Sequence, residues 1–138
     1  MAVAVGCALG CGESSDLKAA FLKKGDAICE KTDKEQEAGV SAYSKKHPKA
    51  LFTKGSEQRV LVLAVGLPPI VKEANALEAL EPPPGDEQQV EEIISAIRRA
   101  TKEAEADPVE VGKGRPGPFA RPNQMAKHYG FKACSGSS

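Results

Sequence analysis

Four cysteines and two histidines carry most of the chemistry this chain could offer, and their spacing narrows it quickly. Cys29 and Cys134 stand about 105 residues apart, whereas thiol-disulfide catalysts place their pair as Cys-x-x-Cys at a helix start, so redox catalysis is not indicated. His128 together with Cys134 and Cys29 could begin a zinc site, but no fourth clustered ligand and no paired Cys spacing accompany them. A small enzyme or metal protein built on His128 is therefore a competing reading only. His47 lies within Lys45-Lys46-His47-Pro48-Lys49, a pattern that suits a helix end where cations offset the macrodipole better than a nucleic-acid patch. Gly112-Lys113-Gly114-Arg115-Pro116-Gly117 looks superficially like a phosphate loop. It follows no strand, lacks the Gly-Lys-Ser/Thr ending and has a proline where an amide would be needed, which leaves a turn. No Gly-x-Ser-x-Gly, no distinctive Ser/His/Asp set and no tight carboxylate pair argues for hydrolysis. No catalytic residue, metal or cofactor is assigned, and a non-enzymatic role is expected.

The other two thiols sit at the start of the chain. Residues 1–10 are wholly uncharged, while charges are frequent from Glu13 onward, a break that separates a removable apolar leader from a solvated mature chain. The run is too short to span a bilayer, which takes roughly 20 apolar residues. Cys11 follows Ala8-Leu9-Gly10 and Cys7 follows Ala4-Val5-Gly6; each resembles the lipobox of bacterial lipoproteins, in which small residues precede a cysteine that is diacylated and becomes the mature N-terminus. Cys11 leaves the longer apolar run and precedes Gly12-Glu13-Ser14-Ser15-Asp16, which reads as a polar tether, with Cys7 as the alternative. No Lys or Arg precedes the run, so a basic segment would have to be encoded upstream of Met1. The competing reading is a cytosolic helical interaction protein whose apolar start is an arm and not a signal.

Size and composition bound the rest. A chain of 138 residues supports one modest core. Lys plus Arg equals Asp plus Glu at 19 each, so no long-range field draws the chain to nucleic acid or an anionic membrane surface. Aromatics at 4% and the absence of Trp remove stacking platforms for single-stranded nucleic acid, and the core must be largely aliphatic.

Helical periodicity dominates the mature chain. Ser15 or Asp16 can cap a first helix that places Leu17, Ala20, Phe21, Ala27, Ile28 and Tyr43 on one side and runs to about Lys46, where His47-Pro48 stops it. Gly25 and Gly39 weaken it by about 1 kcal/mol each relative to Ala. A second helix begins near Ser56, with Val60, Leu63, Leu67, Ile70, Ala74 and Leu77 as a buried stripe. Pro68 and Pro69 lack amide donors and press on the carbonyls of Ala64 and Val65, so this helix should kink or break near Gly66, and the interruption with its two prolines argues against a membrane span. After the stiff connector Glu81-Pro82-Pro83-Pro84-Gly85, Asp86 with Gln89 reads as a capping box. Val90, Ile93, Ile94, Ile97, Thr101 and Ala104 then follow at regular helical spacing up to Asp107-Pro108. Residues 109–118 read as a loop, and a last helix from about Pro118 to Tyr129 turns Phe119, Ala126 and Tyr129 inward, with Gly130 as its cap.

Taken together, Phe21-Leu22-Lys23-Lys24-Gly25-Asp26-Ala27-Ile28-Cys29, Pro84-Gly85-Asp86-Glu87, Asp107-Pro108 and the run from Pro118 through Asn123, Ala126 and Tyr129-Gly130-Phe131-Lys132-Ala133-Cys134 resemble a group of small lipoprotein-like secreted proteins of high-GC Gram-positive bacteria. The likeness covers most of residues 16–134, with departures at Gly25, Pro68-Pro69 and Pro122, and implies a helical extracytoplasmic domain with a lipid-modified N-terminus. It implies no activity.

The expected molecule is all-α: an irregular antiparallel bundle of about four helices with a kinked second helix. Residues 1–10 are a signal-peptide remnant, 11–15 a lipid-anchor tether, 16–134 the helical domain and 135–138 a disordered tail. Once Cys7 and Cys11 are assigned to leader and anchor, Cys29 and Cys134 remain as an even pair, and outside the cytoplasm such a pair is normally oxidised. Closing that loop would add roughly 4 to 5 kcal/mol in the chain-entropy model and pin the tail to the first helix. The expected partners are a membrane, reached only through the anchor at its outer face, and an unspecified protein or small molecule; nucleic acid is not expected, and the chain is taken as a monomer.

Overall fold

The computed structural model describes residues 11–49, 55–111 and 117–136. Cys7 and the rest of the apolar leader, 1–10, lie outside the described residues, as do residues 112–116 of the glycine-rich loop. Four helices make an all-α bundle: α1 (Cys11–Lys46), α2 (Ser56–Glu78), α3 (Glu87–Ala106) and α4 (Ala120–Tyr129). A single helical turn, Pro108–Val111, follows α3, and a 3-10 turn, Ala133–Ser135, ends the described chain. No strand occurs among the described residues.

α1 is 36 residues long, about 54 Å at the α-helical rise. It starts at Cys11, ahead of the Asp16 cap that the sequence suggests, so residues 11–15 form its first turn and not an extended tether. Ser15 Oγ donates to Gly12 O at 2.7 Å inside that turn, and Glu13 near the start and Lys45 and Lys46 near the end suit the macrodipole. The predicted stop is observed: His47 N donates to Tyr43 O at 2.9 Å and Pro48 follows in a turn. Of the predicted inner face, Phe21 is buried and Ile28 and Tyr43 half-buried, while Leu17, Ala20 and Ala27 are exposed, Ala27 because it lies off the stripe of Gly25 and Cys29. The buried positions in their place are Cys29 and Thr32.

α2 does not break at its prolines. Its segment Leu61–Gly66 is a π-helix, in which Leu67 N reaches back to Val62 O, and an α-helix resumes at Leu67 with Pro68 and Pro69 in its first turn, where their missing donors cost nothing. The wider turn inserts a residue and shifts the phase of the stripe. Leu67, Ala74 and Leu77 are buried as expected, but Val60, just ahead of the π-segment, and Leu63, within it, remain 45% and 36% exposed. α2 is thereby a continuous helix of 23 residues, long and apolar enough by composition alone to cross a membrane. Its inner face is nonetheless committed to α1 and α3 through Leu67, Pro69, Ala74 and Leu77.

α3 follows its periodicity closely, with Val90, Ile93, Ile94, Ile97, Thr101 and Ala104 all buried. Asp86 is the N-cap residue, but its side chain caps nothing; Gly85 N donates instead to Glu87 Oε2 at 2.7 Å, in place of the predicted Asp86/Gln89 capping box. Residues 109–111, expected as the start of a loop, form one helical turn with the buried Pro108. α4 ends in a Schellman motif at Gly130 (φ 121°), with Phe131 N on Ala126 O at 3.0 Å and Gly130 N on Lys127 O at 3.2 Å.

The core joins Phe21 and Cys29 of α1, Ala74 and Leu77 of α2, the α3 stripe, and Ala126, Tyr129 and Phe131 from the C-terminal end. Three aromatic rings meet there, Phe21 edge-on to Tyr129 with centroids 6.1 Å apart and Phe131 within 5.9 Å of Phe21 and 5.4 Å of Tyr129.

Candidate functional site

The C-terminal tail docks onto one face of α1, and that docking builds the wall of a cavity. Phe131 lays its ring against Gly25, where a Cβ would collide with Phe131 Cε1. One residue on, Asp26 Oδ1 accepts hydrogen bonds from Lys132 N at 2.9 Å and Ala133 N at 2.8 Å. Cys134 then forms a disulfide with Cys29, their Cα atoms 5.1 Å apart. Positions 25, 26 and 29 share one helical face, so a single stripe of α1 receives ring, turn and sulfur. The glycine that looked like a local weakness is the seat of an aromatic ring. The tail expected as disordered is ordered at Ser135, whose Oγ donates to Lys132 O at 2.7 Å.

Beyond the disulfide the bundle leaves a half-open cavity of about 400 Å³. Its walls are apolar over most of their area: Val62, Leu67 and Ile70 from α2, Ile97 from α3, Val111 from the helical turn, and Phe119 from the entry to α4. The Cys29–Cys134 bridge forms part of the wall. Polar groups come chiefly from α1 and α2, namely Thr32, Asp33, Gln36 and Glu73, with Asn123 of α4 opposite. Volume, apolar lining and a few convergent polar groups are what a small-molecule site requires.

The polar groups are unequally satisfied. Gln36 Nε2 donates to Gly66 O at 2.7 Å, so the carbonyl at the end of the π-turn meets a side chain of the protein. Thr32 Oγ1 donates to Ile28 O at 3.3 Å, and the Glu73 carboxyl is a second acceptor for the same hydrogen. Burial pushes the Glu73 carboxyl above its ordinary range; the Thr32 hydroxyl pulls it back down and Asp33 adds to the rise. Burial likewise raises Asp33, helped by Glu37 and Glu30 on the same helix. Two carboxylates forty positions apart in the chain thus share one apolar cavity, a pair that spacing alone could not reveal.

A second polar cluster lies at the other end of the core. Asp86 Oδ2 accepts from Tyr129 Oη at 2.8 Å and from Lys18 Nζ at 3.2 Å, and Lys18 Nζ also sits 4.1 Å from the Tyr129 ring centroid. The Tyr129 hydrogen bond and Lys18 hold the Asp86 carboxyl below its usual value, while burial and Asp86 push the Tyr129 hydroxyl upward. Every group here has its partner, and the cluster ties α1 to the start of α3 and the end of α4.

His128 is exposed on α4, and both cysteines that might have joined it at a metal are consumed by the disulfide. Among the described residues no three His, Cys, Asp or Glu side chains cluster to hold a metal. His47 stacks on Tyr43 at 4.4 Å at the exposed end of α1. Cys11 begins α1 and is not among the cavity's lining residues; Cys7 is outside the described residues.

No family model matches this chain, and neither a curated protein nor a solved structure is significantly similar to it. Functional argument therefore rests on the cavity itself.

Proposed function

We propose that the protein is an exported, lipid-anchored binding module that carries its cavity on a helical stalk outside the cytoplasm and catalyses no reaction. The observation that supports this reading best is the cavity whose wall contains the Cys29–Cys134 disulfide. A pocket of about 400 Å³ lined mainly by aliphatic side chains favours binding of a small apolar molecule. A disulfide in that wall favours an oxidising compartment, because cytosolic thiols are kept reduced. The apolar, uncharged stretch 1–10 supplies the export signal in this reading and Cys11, or failing it Cys7, the acylated thiol. Membership of the secreted lipoprotein-like group that the sequence resembles is part of the same proposal.

The test is metabolic labelling with a fatty-acid analogue in the producing cell. Label that is lost on Cys11→Ser, or on Cys7→Ser, with the protein in the membrane fraction, is the expected result. Unlabelled protein that retains Met1 and free thiols at positions 29 and 134 in the soluble extract would overturn it.

A further inference from the structure

We infer that the cavity between α1, α2 and α4 selects an organic cation: an apolar body of roughly ten heavy atoms bearing a protonated amine. The inference rests on the reading of this cavity as a binding site and adds the class of ligand. Its basis is the mismatch between the cavity's walls and its charges. Asp33 and Glu73 line it, and among the described residues no Lys, Arg or His does.

Three carboxylates outside the cavity are met by cations. Glu35 is met by Lys31 at 3.9 Å and by Lys72 at 3.6 Å, Glu78 by Arg98 at 2.7 Å, and Asp86 by Lys18 at 3.2 Å. Lys31 and Lys72 are thus engaged on the outer side of α1 and α2 while Asp33 and Glu73, on the same two helices, face the cavity. Among the described residues the surrounding elements do not compensate. α1 adds only the further acids Glu30 and Glu37 near Asp33, α3 presents Ile97, α4 presents Phe119 and Asn123, and the C-terminal turn presents Ala133 and Cys134.

The Thr32 hydrogen is claimed by Ile28 O or Glu73, and the Gln36 amide gives one of its two N–H groups to Gly66 O, so the donors left to a ligand on Gln36 and Asn123 are uncharged amides while the acceptors include two carboxyl groups. A ligand entering here meets acceptors and negative charge among aliphatic walls. An ammonium group supplies donors and charge together, and the walls strip its water from one side only, since the mouth is open. A carboxylate ligand would face two like charges, and a neutral alcohol would gain the walls without the charge.

The experiment titrates the oxidised full chain at neutral pH with three probes of equal length, octylamine, 1-octanol and octanoate, following amide shifts of Ile97 and Phe119 by NMR. Octylamine should bind at least about tenfold more tightly than either other probe, and D33N/E73Q should remove that advantage while octanol binding stays put. Thermal melting of the variant confirms that it folds, and E73Q alone, with one carboxylate left, should lie between. Equal affinity for octylamine and octanol would sink the cation preference and leave the binding site standing. Silence from all three probes would remove both.

Discussion

The two ends of the bundle treat carboxylates in opposite ways. At one end Asp86 receives a tyrosine hydroxyl and a lysine ammonium and its proton affinity drops; at the other, burial raises that of Glu73 and Asp33, with neighbouring carboxylates adding to the rise. The first arrangement stabilises the fold by completing its hydrogen bonds. The second sets two carboxyl groups among aliphatic walls at a half-open cavity, the arrangement on which the proposed binding role rests. Between the two lies the tail docked on Gly25, Asp26 and Cys29, shared by both.

Removing the shared element should have the largest effect. Cys29→Ser with Cys134→Ser is expected to lower unfolding free energy by about 4 to 5 kcal/mol, as read by urea denaturation, since the loop it closes spans 105 residues. Gly25→Ala comes next. The new Cβ meets the Phe131 ring, at a cost of about 1–3 kcal/mol for overpacking, against about 1 kcal/mol gained from helix propensity, so a net loss is expected in the same assay. Gly39→Ala should cost less, because its Cβ, 2.7 Å from Val65 Cγ1, meets a single methyl of a half-buried side chain.

The polar clusters should then separate by pH. Asp86→Asn is expected to cost about 1–2 kcal/mol near neutrality. Because its carboxyl is held low in the folded state, the stability it provides is present above the unfolded value of 3.8 and lost as pH falls through the folded one, so the variant should show a shallower acid decline. Glu73→Gln should carry the opposite sign and the smallest size. A raised folded value means stability that is present below the unfolded value of 4.5 and lost as pH rises through the folded one, so the amide should gain less than about 1 kcal/mol near neutral pH. A loss of stability there would show that Glu73 is paired in a way the cavity does not display.

How much of this was legible depended on whether the signal was local. α3 was read nearly residue by residue, because its six apolar positions repeat without interruption and each is buried. The end of α1 at His47-Pro48 and the cap at Gly130 were legible for the same reason: each is decided within one helical turn. The Cys29–Cys134 bridge came from elimination among four cysteines, not from geometry. α2 was misread in its first half, since nothing in the letters Leu61–Gly66 announces a π-turn that moves Val60 and Leu63 out of phase with Leu67. Asp86 was read as a cap because its position is right, but its acceptor went to Tyr129, 43 residues away. The cavity's acid pair was invisible for a related reason, with one member on α1 and the other on α2.

The sequence by itself determined that this chain is helical, where its most regular helix lies, and which two thiols remain to be joined, because propensity, period and capping act over a few residues. Tertiary structure alone decided that Gly25 receives a ring, that Asp26 holds the tail's amides, and that Asp33 and Glu73 share an unfilled space. Those outcomes depend on which helix faces meet, and the meeting is set by packing between segments far apart in the chain.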